Sequence, residues 1–550
     1  MRHHDANDVA TGAVLRIARR LPQRFLVRED GSTTIFATVV FVLMIGIGGI
    51  AIDIMRFETQ RVQLQYTLDR AVLAAASLSQ TLDPQEVVES YFETAGLEGY
   101  RLRVDVENGI NFRRVEARAE MELQTLFMSI FGQPMLTSPA AGAAEERVRN
   151  IEVSLVLDVS GSMSGSSRMT NLRPAARSFV TSVLEANNNP LGDQLVSVSI
   201  VPYDHAVNMG TTLSSVFSLT GEHTYSRCAR FQAADYTFAG INPTVPLQRM
   251  ADIDVDTTNS TNPTPQPACH RDNTAAVIPW SNNETQLHNL INSLEPRGWT
   301  AIDQGMRWAV ALLDPAARPA LSGLVSNGSV HPDFDGRPAS YVDPETMKII
   351  VLMTDGENTR QWDVQEQFRS GPSPFWRNPA DGRWSVFYPQ WNLYWQESRD
   401  RWRSTPDGGA NAVQLDYADL WHHVSVRSLR SRMFHSHAWE RHEGYTSSVN
   451  HWRRTTVQAM QQQFNYWNVV NQYAGDNGVE GDARLRAICD VAHAQGITVF
   501  SIAFEAPWRG QQVMRYCASS AAHYYDVNGI DISNAFASIA RTINQLRLIQ

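Results

Sequence analysis

The sequence predicts an α/β protein with a doubly wound parallel sheet, large insertions and a membrane-spanning helix near its start. Two observations predict the sheet: apolar runs recur after residue 150, and segments with helical periodicity separate them. A third observation predicts the membrane helix, because residues 35–52 form an unbroken apolar stretch. The chain of 550 residues is long enough for two or more domains.

Composition narrows the class of protein. Apolar residues make up 43% and charged residues 19% of the chain, which is typical of a globular protein. The net charge of -10, without a long basic run or a basic patch interleaved with aromatics, argues against a general nucleic-acid binder.

The apolar stretch is preceded by a basic segment. Its arginines are Arg16, Arg19, Arg20, Arg24 and Arg28. The positive-inside rule therefore places residues 1–31 in the cytoplasm, residues 32–55 across the membrane and the bulk of the chain in the periplasm or outside the cell. Asp53 and Arg56 then lie at the outer interface, and Gly46, Gly48 and Gly49 permit close helix approach without a GxxxG spacing.

Three other interpretations of the apolar stretch fit less well. A cleaved signal peptide has a shorter basic region and a small-residue cleavage site close behind the apolar run. A buried soluble helix does not explain the flanking arginines. A type IV pilin-like leader is suggested by Gly31, but that family has Glu where this chain has Phe36. We therefore expect an uncleaved single-pass anchor.

Residues 56–150 predict a small α+β segment. Apolar spacing favours helices over 56–78 and 84–94, with Asp83 as the N-cap of the second. Alternation predicts strands over 101–107 and 114–123. A short helix over 126–131 ends at Gly132, and the small residues 138–142 predict a linker.

Residues 151–550 predict the α/β domain. Its expected strands cover 153–157, 195–201, 348–353 and 497–504, and its expected helices cover 172–184, 286–294, 302–313 and 532–546. Strands that alternate with helices imply right-handed crossovers and a parallel sheet. Two stretches exceed this core and are predicted insertions, at about 204–280 and 360–481.

Oxygen-bearing side chains follow two of these predicted strands. Asp158, Ser160 and Ser162 follow the first, at alternating positions, and Asp355 follows the strand that ends near residue 353. Thr300 precedes a predicted helix. Ligands of open α/β sheets bind at the carboxyl ends of the strands, and oxygen donors with few charges suit Mg²⁺. Asp158-x-Ser160-x-Ser162 alone is weak evidence, because Asp, Ser and Gly also form ordinary turns.

Together these segments resemble the von Willebrand factor A domain, a Rossmann-like fold. Asp158-x-Ser160-x-Ser162 resembles its DxSxS motif, and Thr300 and Asp355 stand where that family has its fourth and fifth metal ligands. The resemblance implies a Mg²⁺ (or Mn²⁺) adhesion site in which a carboxylate of a protein partner completes the coordination. A degenerate A domain without a bound ion is the alternative.

The N-terminal third resembles the TadE/TadG-like proteins of Flp (Tad) pilus assembly. The resemblance rests on Gly31-Ser32 before the span, on the sequence AIDI at 51–54 and on the alanine-rich helix that follows. An anchor, a small α+β segment and a C-terminal A domain together look like TadG. This implies a bacterial inner-membrane protein whose partners are other Tad components or pilin.

All four cysteines follow the predicted span: Cys228, Cys269, Cys489 and Cys517. An even number beyond a membrane fits disulfides in an oxidising compartment. Pairing of sequence neighbours, Cys228 with Cys269 and Cys489 with Cys517, is favoured among three connectivities, and four free thiols are the alternative.

The second predicted insertion contains ten of the fourteen tryptophans. They include Trp376, Trp384, Trp391, Trp395 and Trp402. It also contains a histidine cluster: His422, His423, His435, His437, His442 and His451. The aromatics either bind a carbohydrate or peptide partner or form a small satellite core, and the histidines suggest a metal or pH-sensing role.

Enzymatic function is not predicted, because the chain has no GxSxG elbow, P-loop or HExxH motif. The first hypothesis is a membrane-anchored, metal-dependent binding protein for pilus assembly or surface attachment. The alternative is a structural periplasmic scaffold whose A domain binds no metal-dependent ligand, and a hydrolase housed in the second insertion is a remote third.

Overall fold

The computed structural model describes residues 31–77, 80, 82–108, 112–147, 150–165, 167–188, 195–258, 261–433, 447–472 and 478–544. The chain divides into two compact units, Met1–Arg147 and Val148–Gln550. The basic segment predicted over 1–31 lies outside the described residues except for Gly31.

One continuous helix, α1 (Ser32–Ala76), contains both the predicted span and the predicted outward helix. By length and composition this helix is able to cross a membrane. Its N-terminal part carries the apolar stretch with its side chains exposed, such as Phe41 at 64%. Its C-terminal part is amphipathic and buries Leu64, Leu68 and Val72.

Helix α1 packs on a small antiparallel sheet in the first unit. A second helix, α2 (Pro84–Thr94), begins at Asp83, whose side chain accepts a hydrogen bond from the Gln85 N–H at 2.8 Å. This confirms the predicted N-cap. The sheet has the order β1 (Tyr100–Asn108), β2 (Phe112–Gln124) and β3 (Met135–Arg147). The helices and the sheet share one apolar core.

The prediction of a linker over 138–142 is wrong, because these residues lie inside β3 and pair with β2 along its whole length. Their small side chains allow α1 to approach: a methyl group on Gly142 would lie 3.1 Å from Asp69 Oδ1. Pro139 is tolerated since β3 is an edge strand. The predicted helix over 126–131 is a short 3₁₀ helix, Met128–Phe131.

A six-stranded sheet forms the centre of the second unit. Its strands are β4 (Asn150–Asp158), β5 (Leu195–Tyr203), β6 (Ile278–Ser281), β7 (Thr346–Thr354), β15 (Thr498–Phe504) and β16 (Tyr524–Val527). They lie in the order β16-β15-β7-β4-β5-β6, and only β6 is antiparallel to its neighbour. The predicted α/β class with a parallel sheet is confirmed. The strand order reverses between β4 and β7, the place where open α/β sheets bind ligands.

Helices cover this sheet, whose central strands are buried on both faces: Leu155 and Val156 of β4 are both fully buried. Its helices are α3 (Arg168–Leu184), α4 (Gly210–Ser214), α5 (Glu284–Ser293), α6 (Ile302–Leu313), α7 (Arg318–Ser326), α12 (Val479–Ala494), α13 (Trp508–Cys517) and α14 (Asp531–Asn544). Every residue of α6 is buried, and α3 packs on α14 through Phe179 and Phe536, whose rings are 5.6 Å apart.

The long segment after β7 forms a second layer of structure. Its strands are β8 (Trp362–Val364), β9 (Pro372–Arg377), β10 (Trp384–Tyr388), β11 (Leu393–Gln396), β12 (Arg401–Arg403), β13 (Val413–Asp416) and β14 (Val470–Gln472). Its helices are α8 (Tyr417–His423), α9 (Val426–Met433), α10 (Ser447–Gln463) and α11 (Tyr466–Val469). Strands β9–β13 form an antiparallel sheet in the order β12-β11-β10-β9-β13, and β8 pairs with β14.

Part of the first predicted insertion shares an apolar core with the second, while another part packs into the core of the large sheet. Met250 and Ile253 of the first pack with Trp395 and Trp421 of the second, and all four are fully buried. The Cys228–Cys269 disulfide belongs to this core, and Cys489–Cys517 links α12 to α13. Both predicted pairings are confirmed. Most of the described tryptophans of the second insertion therefore have a packing role.

We expect the substitution Trp395→Ala to destabilise the second unit by about 3–5 kcal/mol, because it leaves a cavity where the indole packs 5.3 Å from the ring of Trp402. Denaturant unfolding followed by tryptophan fluorescence measures this loss. The matched control is Trp467→Ala, which removes an indole that is 62% exposed and should shift stability by less than about 1 kcal/mol. Equal effects of the two substitutions would contradict a packing role for Trp395.

Candidate functional site

Two buried carboxylates lie side by side where the strand order of the large sheet reverses. Asp158 is the last residue of β4, and Asp355 directly follows β7. The two strands pair in parallel up to Leu157 and Met353, so both acids emerge at the same edge of the sheet. Asp158 is fully buried and Asp355 is 2% exposed.

Hydroxyl groups connect the two carboxylates. Asp158 Oδ1 accepts a hydrogen bond from the Ser160 N–H at 2.8 Å, and its Oδ2 accepts one from Thr354 Oγ1 at 2.6 Å. Ser162 Oγ donates to Asp355 Oδ1 at 2.6 Å and lies 3.0 Å from Ser160 Oγ. Four of the five predicted site residues therefore form one continuous cluster of oxygen atoms.

The fifth predicted residue, Thr300, reaches the same cluster from a separate loop. The Gly161 N–H donates to the Gly298 carbonyl at 3.0 Å, which joins the two loops backbone to backbone. A methyl group on Gly356 would lie 3.4 Å from Thr300 Oγ1 and 3.6 Å from Ser162 Oγ, so both hydroxyls converge on this glycine. The structure thus brings all five predicted residues together.

An arginine completes the cluster and was not predicted. Arg168, the first residue of α3, donates from Nη1 to Asp355 Oδ2 at 2.6 Å and from Nε to Glu505 Oε2 at 2.9 Å. Its side chain is 20% exposed, so the ion pairs are largely shielded from water. Sequence inspection gave no signal for it, because Glu505 lies beyond the fourth predicted strand and only the fold brings it close.

The cluster holds more negative than positive charge. Burial raises the pKa of Asp158 to about 7, and the nearby charge of Asp355 adds to the rise. Burial also raises the pKa of Asp355, against the opposing hydrogen bonds from Ser162 and Arg168. Three carboxylates belong to the cluster (Asp158, Asp355 and Glu505), and the guanidinium of Arg168 pairs with two of them, Asp355 and Glu505.

These donors fit a divalent cation of the hard type. Hydroxyl and carboxylate oxygens are the ligands that Mg²⁺ and Mn²⁺ prefer, and the excess of buried negative charge favours a cation at the same place. The residues that would hold it are Asp158, Ser160, Ser162, Thr300 and Asp355. Arg168 partly neutralises Asp355, so a cation there would share this carboxylate with a guanidinium.

A further acid, Asp204, holds the loop that carries Thr300. Asp204 accepts a hydrogen bond from Arg297 Nε at 3.1 Å through its carboxylate and one from the Ala301 N–H at 2.8 Å through its backbone carbonyl. Burial alone would raise the pKa of Asp204, but His270, 3.3 Å away, and Arg297 hold it below its ordinary value. Asp204 is therefore a charged positioning residue that the sequence did not indicate.

The segment after Asp355 fixes the other side of the same loop. Asn358 Oδ1 accepts from the Ile302 N–H at 2.8 Å, and its Nδ2 donates to Asp482 Oδ1 at 3.1 Å. The Thr359 N–H donates to the Thr300 carbonyl at 2.9 Å. The backbone around Thr300 is thus held between two hydrogen-bond networks, which fixes the position of the loop that carries its hydroxyl.

Two concave surfaces flank this loop, and Trp299 contributes to both. One, of about 350 Å³, is lined by residues that include Pro265, Pro267 and Pro296. The other, of about 520 Å³, is here called the aromatic groove, and its main side chains are Trp299, Arg360, Trp362, Arg427, Tyr466 and Trp467. In this groove Arg427 lies over the ring of Tyr466 at 5.3 Å, and Trp467 is 62% exposed. The groove presents aromatic faces and two guanidinium groups beside Thr300.

The predicted histidine cluster divides into two parts. His422 Nδ1 lies 2.7 Å from Asp252 Oδ2, and its ring stacks on Tyr225 at 3.8 Å. Burial lowers the pKa of His423 to about 4. The side chains of His435, His437, His442 and His451 lie outside the described residues. Among the described residues, no group of three His, Cys, Asp or Glu side chains is arranged to hold a metal ion.

Comparison with known proteins finds the family model for Flp pilus-assembly TadE/G-like proteins in residues 31–78. The N-terminal segment is thus similar to this family of pilus-assembly proteins. No curated protein matches the chain.

Three solved structures from pili share a distant likeness with the chain. The vWF domain of the type V pili tip protein Mfa5 from Porphyromonas gingivalis is 14% identical with a TM-score of 0.31, over 72% of this chain and 96% of that one. The pilus adhesin RrgA from Streptococcus pneumoniae is 12% identical with a TM-score of 0.31 (81% and 49%). SpaC from Lactobacillus rhamnosus GG is 13% identical with a TM-score of 0.28 (81% and 34%). The chain thus spans about half of RrgA and a third of SpaC.

The raised pKa of Asp158 predicts a pH dependence of stability in the presence of a chelator. The folded protein binds more protons than the unfolded chain between the ordinary pKa of 3.8 and about 7, so the contribution of this group to the free energy of unfolding falls as the pH rises through that window. Denaturant unfolding at about pH 5 and about pH 8 measures this fall.

Asp158→Asn is the matched variant, because it keeps the shape of the side chain and removes its titration. We expect the variant to lose this component of the pH dependence and to be more stable than the parent at about pH 8 without metal. An unchanged pH dependence in the variant would show that Asp158 is ionised in the fold throughout this range.

Proposed function

We propose that this chain is a membrane-anchored, Mg²⁺-dependent protein-binding component of Flp/Tad pilus assembly or of surface attachment. The observation that carries the proposal is the convergence of five oxygen-bearing residues at the reversal point of the sheet: Asp158, Ser160, Ser162, Thr300 and Asp355. The TadE/G-like match over residues 31–78 supports the pilus-assembly context. The proposal assigns no catalytic step to the site.

The finer assignment is a TadG-like protein with a C-terminal von Willebrand factor A domain. The DxSxS sequence at Asp158, the Thr300 loop and Asp355 come together at one edge of a parallel sheet, which supports this assignment. The strand order β16-β15-β7-β4-β5-β6 has the reversal that a Rossmann-like fold requires.

The residues of the site would contribute two kinds of oxygen atom to a bound cation. The three hydroxyls of Ser160, Ser162 and Thr300 would offer neutral oxygen atoms, and the two carboxylates would balance charge and accept hydrogen bonds from the hydroxyls. Because few charges bind the ion directly, it keeps the ability to attract a carboxylate of a partner. Mn²⁺, which prefers similar oxygen ligands, would occupy the same place.

The aromatic groove is the proposed surface for the rest of the partner. Its guanidinium groups at Arg360 and Arg427 favour an acidic segment, and its exposed indole at Trp467 offers apolar contact area. Trp299 and Thr300 are consecutive, so an acidic peptide lying in the groove would reach the cation site without a break.

The proposed location is the bacterial inner membrane, with the N-terminus in the cytoplasm and residues beyond the span in the periplasm or outside the cell. The disulfides Cys228–Cys269 and Cys489–Cys517 both follow the span, which supports an oxidising compartment for the second unit. Helix α1 is the candidate membrane span.

One observation favours the alternative function of a structural scaffold. The guanidinium of Arg168 already pairs with Asp355 at 2.6 Å, which gives the cluster an internal counterion. If this pairing suffices to stabilise the buried acids, the second unit folds and assembles without a divalent ion, and the A domain acts only as a spacer.

A metal titration separates the two functions. The full chain in detergent is titrated with Mg²⁺ or Mn²⁺ while its melting temperature is followed. A site in the folded state should add about 2.7 kcal/mol of stability at one hundred times the Kd. Asp158→Ala should abolish the shift, whereas Ser164→Ala, which removes an exposed hydroxyl bonded to Gly161 in the adjacent turn, should keep it. Absence of a shift in the parent would favour the scaffold.

Crosslinking in living cells tests the binding surface. A photoreactive residue at position 467 should capture a partner in the parent but not in the Asp158→Ala background, since binding requires the cation site. The control is the same residue at position 342, which is 87% exposed in the parent and precedes β7 at the opposite edge of the sheet. Equal capture from both positions, or equal capture from position 467 in the parent and in the Asp158→Ala background, would contradict the proposed surface.

A further inference from the structure

A short apolar turn in the first unit has no role in the function proposed above. Residues 126–132 connect β2 to β3 and contain the 3₁₀ helix Met128–Phe131. Three of its large apolar side chains are exposed: Leu126 at 59%, Ile130 at 77% and Phe131 at 65%. An apolar patch of this kind on a surface that faces water is unfavourable and marks an interaction site.

The turn lies alongside the apolar part of α1. A methyl group on Gly49 would overlap the ring of Phe127, and one on Gly46 would lie 3.5 Å from Phe131. Gly46 precedes Asp53 by seven residues, which is about 10 Å along the helix axis. Because residues 35–52 are the apolar stretch, the tip of the turn reaches the level of the predicted hydrocarbon region.

Most backbone N–H groups of the turn have hydrogen-bond partners within the protein, which lowers the cost of placing them in a low-dielectric environment. Asp53, fully buried, accepts hydrogen bonds from the N–H groups of Leu126 at 3.0 Å, Phe127 at 2.7 Å and Met128 at 2.8 Å. The N–H groups of Ile130, Gly132 and Gln133 donate to carbonyl groups within the turn. Non-helical backbone reaches membrane depth only where its polar groups are satisfied by protein.

Asp53 itself does not carry an unbalanced charge into this region. Arg56 Nη1 lies 3.7 Å from Asp53 Oδ1 and donates to the Gln124 carbonyl at 3.3 Å. The Arg56 side chain is 40% exposed, so its charge remains accessible to headgroups or water. The charged pair therefore marks the boundary, with the apolar turn on its membrane side.

We propose that the turn 126–132 is a second membrane element, which inserts Leu126, Ile130 and Phe131 into the outer leaflet beside the span. This inference rests on the part of the proposed function that places α1 across the membrane. The occupant of the apolar patch is lipid, because the patch continues the lipid-facing surface of α1 at the same level. Two contacts with the bilayer, the helix and the turn, would fix the tilt of the small sheet relative to the membrane.

Site-specific fluorescence in lipid vesicles tests this inference. The full chain carries one added cysteine, labelled with an environment-sensitive NBD dye; among the described residues the native cysteines are all in disulfides. The test variants are Ile130→Cys and, independently, Phe131→Cys. The vesicles are phosphatidylcholine with a doxyl-labelled lipid as the membrane quencher, and iodide is the aqueous quencher.

Two matched sites calibrate the experiment. Val42→Cys lies within the apolar stretch and is 61% exposed in the parent, so it reports whether α1 is in the bilayer. Val106→Cys lies on β1, opposite Val115 and far along the strand from the turn, and reports on water. We expect the dye at 130 and 131 to match the dye at 42, with several-fold more doxyl quenching and less iodide quenching than at 106.

Three results would overturn the inference. Iodide quenching at 130 and 131 equal to that at 106 would place the turn in water while leaving the anchor intact. Protection from both quenchers would show that protein, such as a second copy of the chain, covers the patch. Absence of doxyl quenching at 42 would remove the membrane anchor itself, and with it the basis of the proposed location.

Discussion

The structure of the second unit depends on one constraint: two neighbouring parallel strands both end in carboxylates, which the fold buries side by side. Asp158 and Asp355 lie close together because β4 and β7 pair in register up to Leu157 and Met353, one and two residues before these acids. Like charges in a buried place are costly, so the surroundings supply donors. Ser162, Thr354 and Arg168 all donate to these two acids. The buried negative charge and the hydroxyl groups around this pair also create a place where binding of a cation would be favourable.

Holding the third hydroxyl near this pair requires contacts from distant parts of the chain. Thr300 lies on a loop that Asp204 anchors from one side and Asn358 from the other. Asp204 follows β5 and Asn358 lies beyond β7, so together with Asp158 at the end of β4 three strand ends contribute to one site. Because each of these residues is buried and hydrogen-bonded, the geometry of the oxygen cluster is set before any ligand arrives. The aromatic groove includes Trp299, the residue before Thr300, which connects the proposed partner surface to the proposed cation site.

The two large insertions illustrate how burial overrides composition. The first insertion is rich in Asn, Thr and Pro, and the second is rich in Trp and His. These compositions predict two separate additions to the sheet. In the structure part of the first segment is buried in one core with the second, and this core includes Met250, Ile253, Trp395 and Trp421. The first unit follows the same principle on a smaller scale: small residues such as Gly142 and Ala140 let a helix lie on a strand that their composition had suggested was a linker.

The sequence by itself determined the α/β class with its parallel sheet, the apolar helix, the pairing of the cysteines and the five oxygen-bearing residues of the site. These features have local signals, because apolar periodicity, motif spacing and short separations are all visible along the chain. Only the tertiary structure decided the rest: the pairing of Arg168 with Glu505, the support of Thr300 by Asp204, the shared core of the insertions and the docking of the turn 126–132 on Gly46 and Gly49. Each of these is a contact between residues far apart in sequence. Neither the periodicity nor the spacing of residues along the chain shows which distant side chains come together when the core packs.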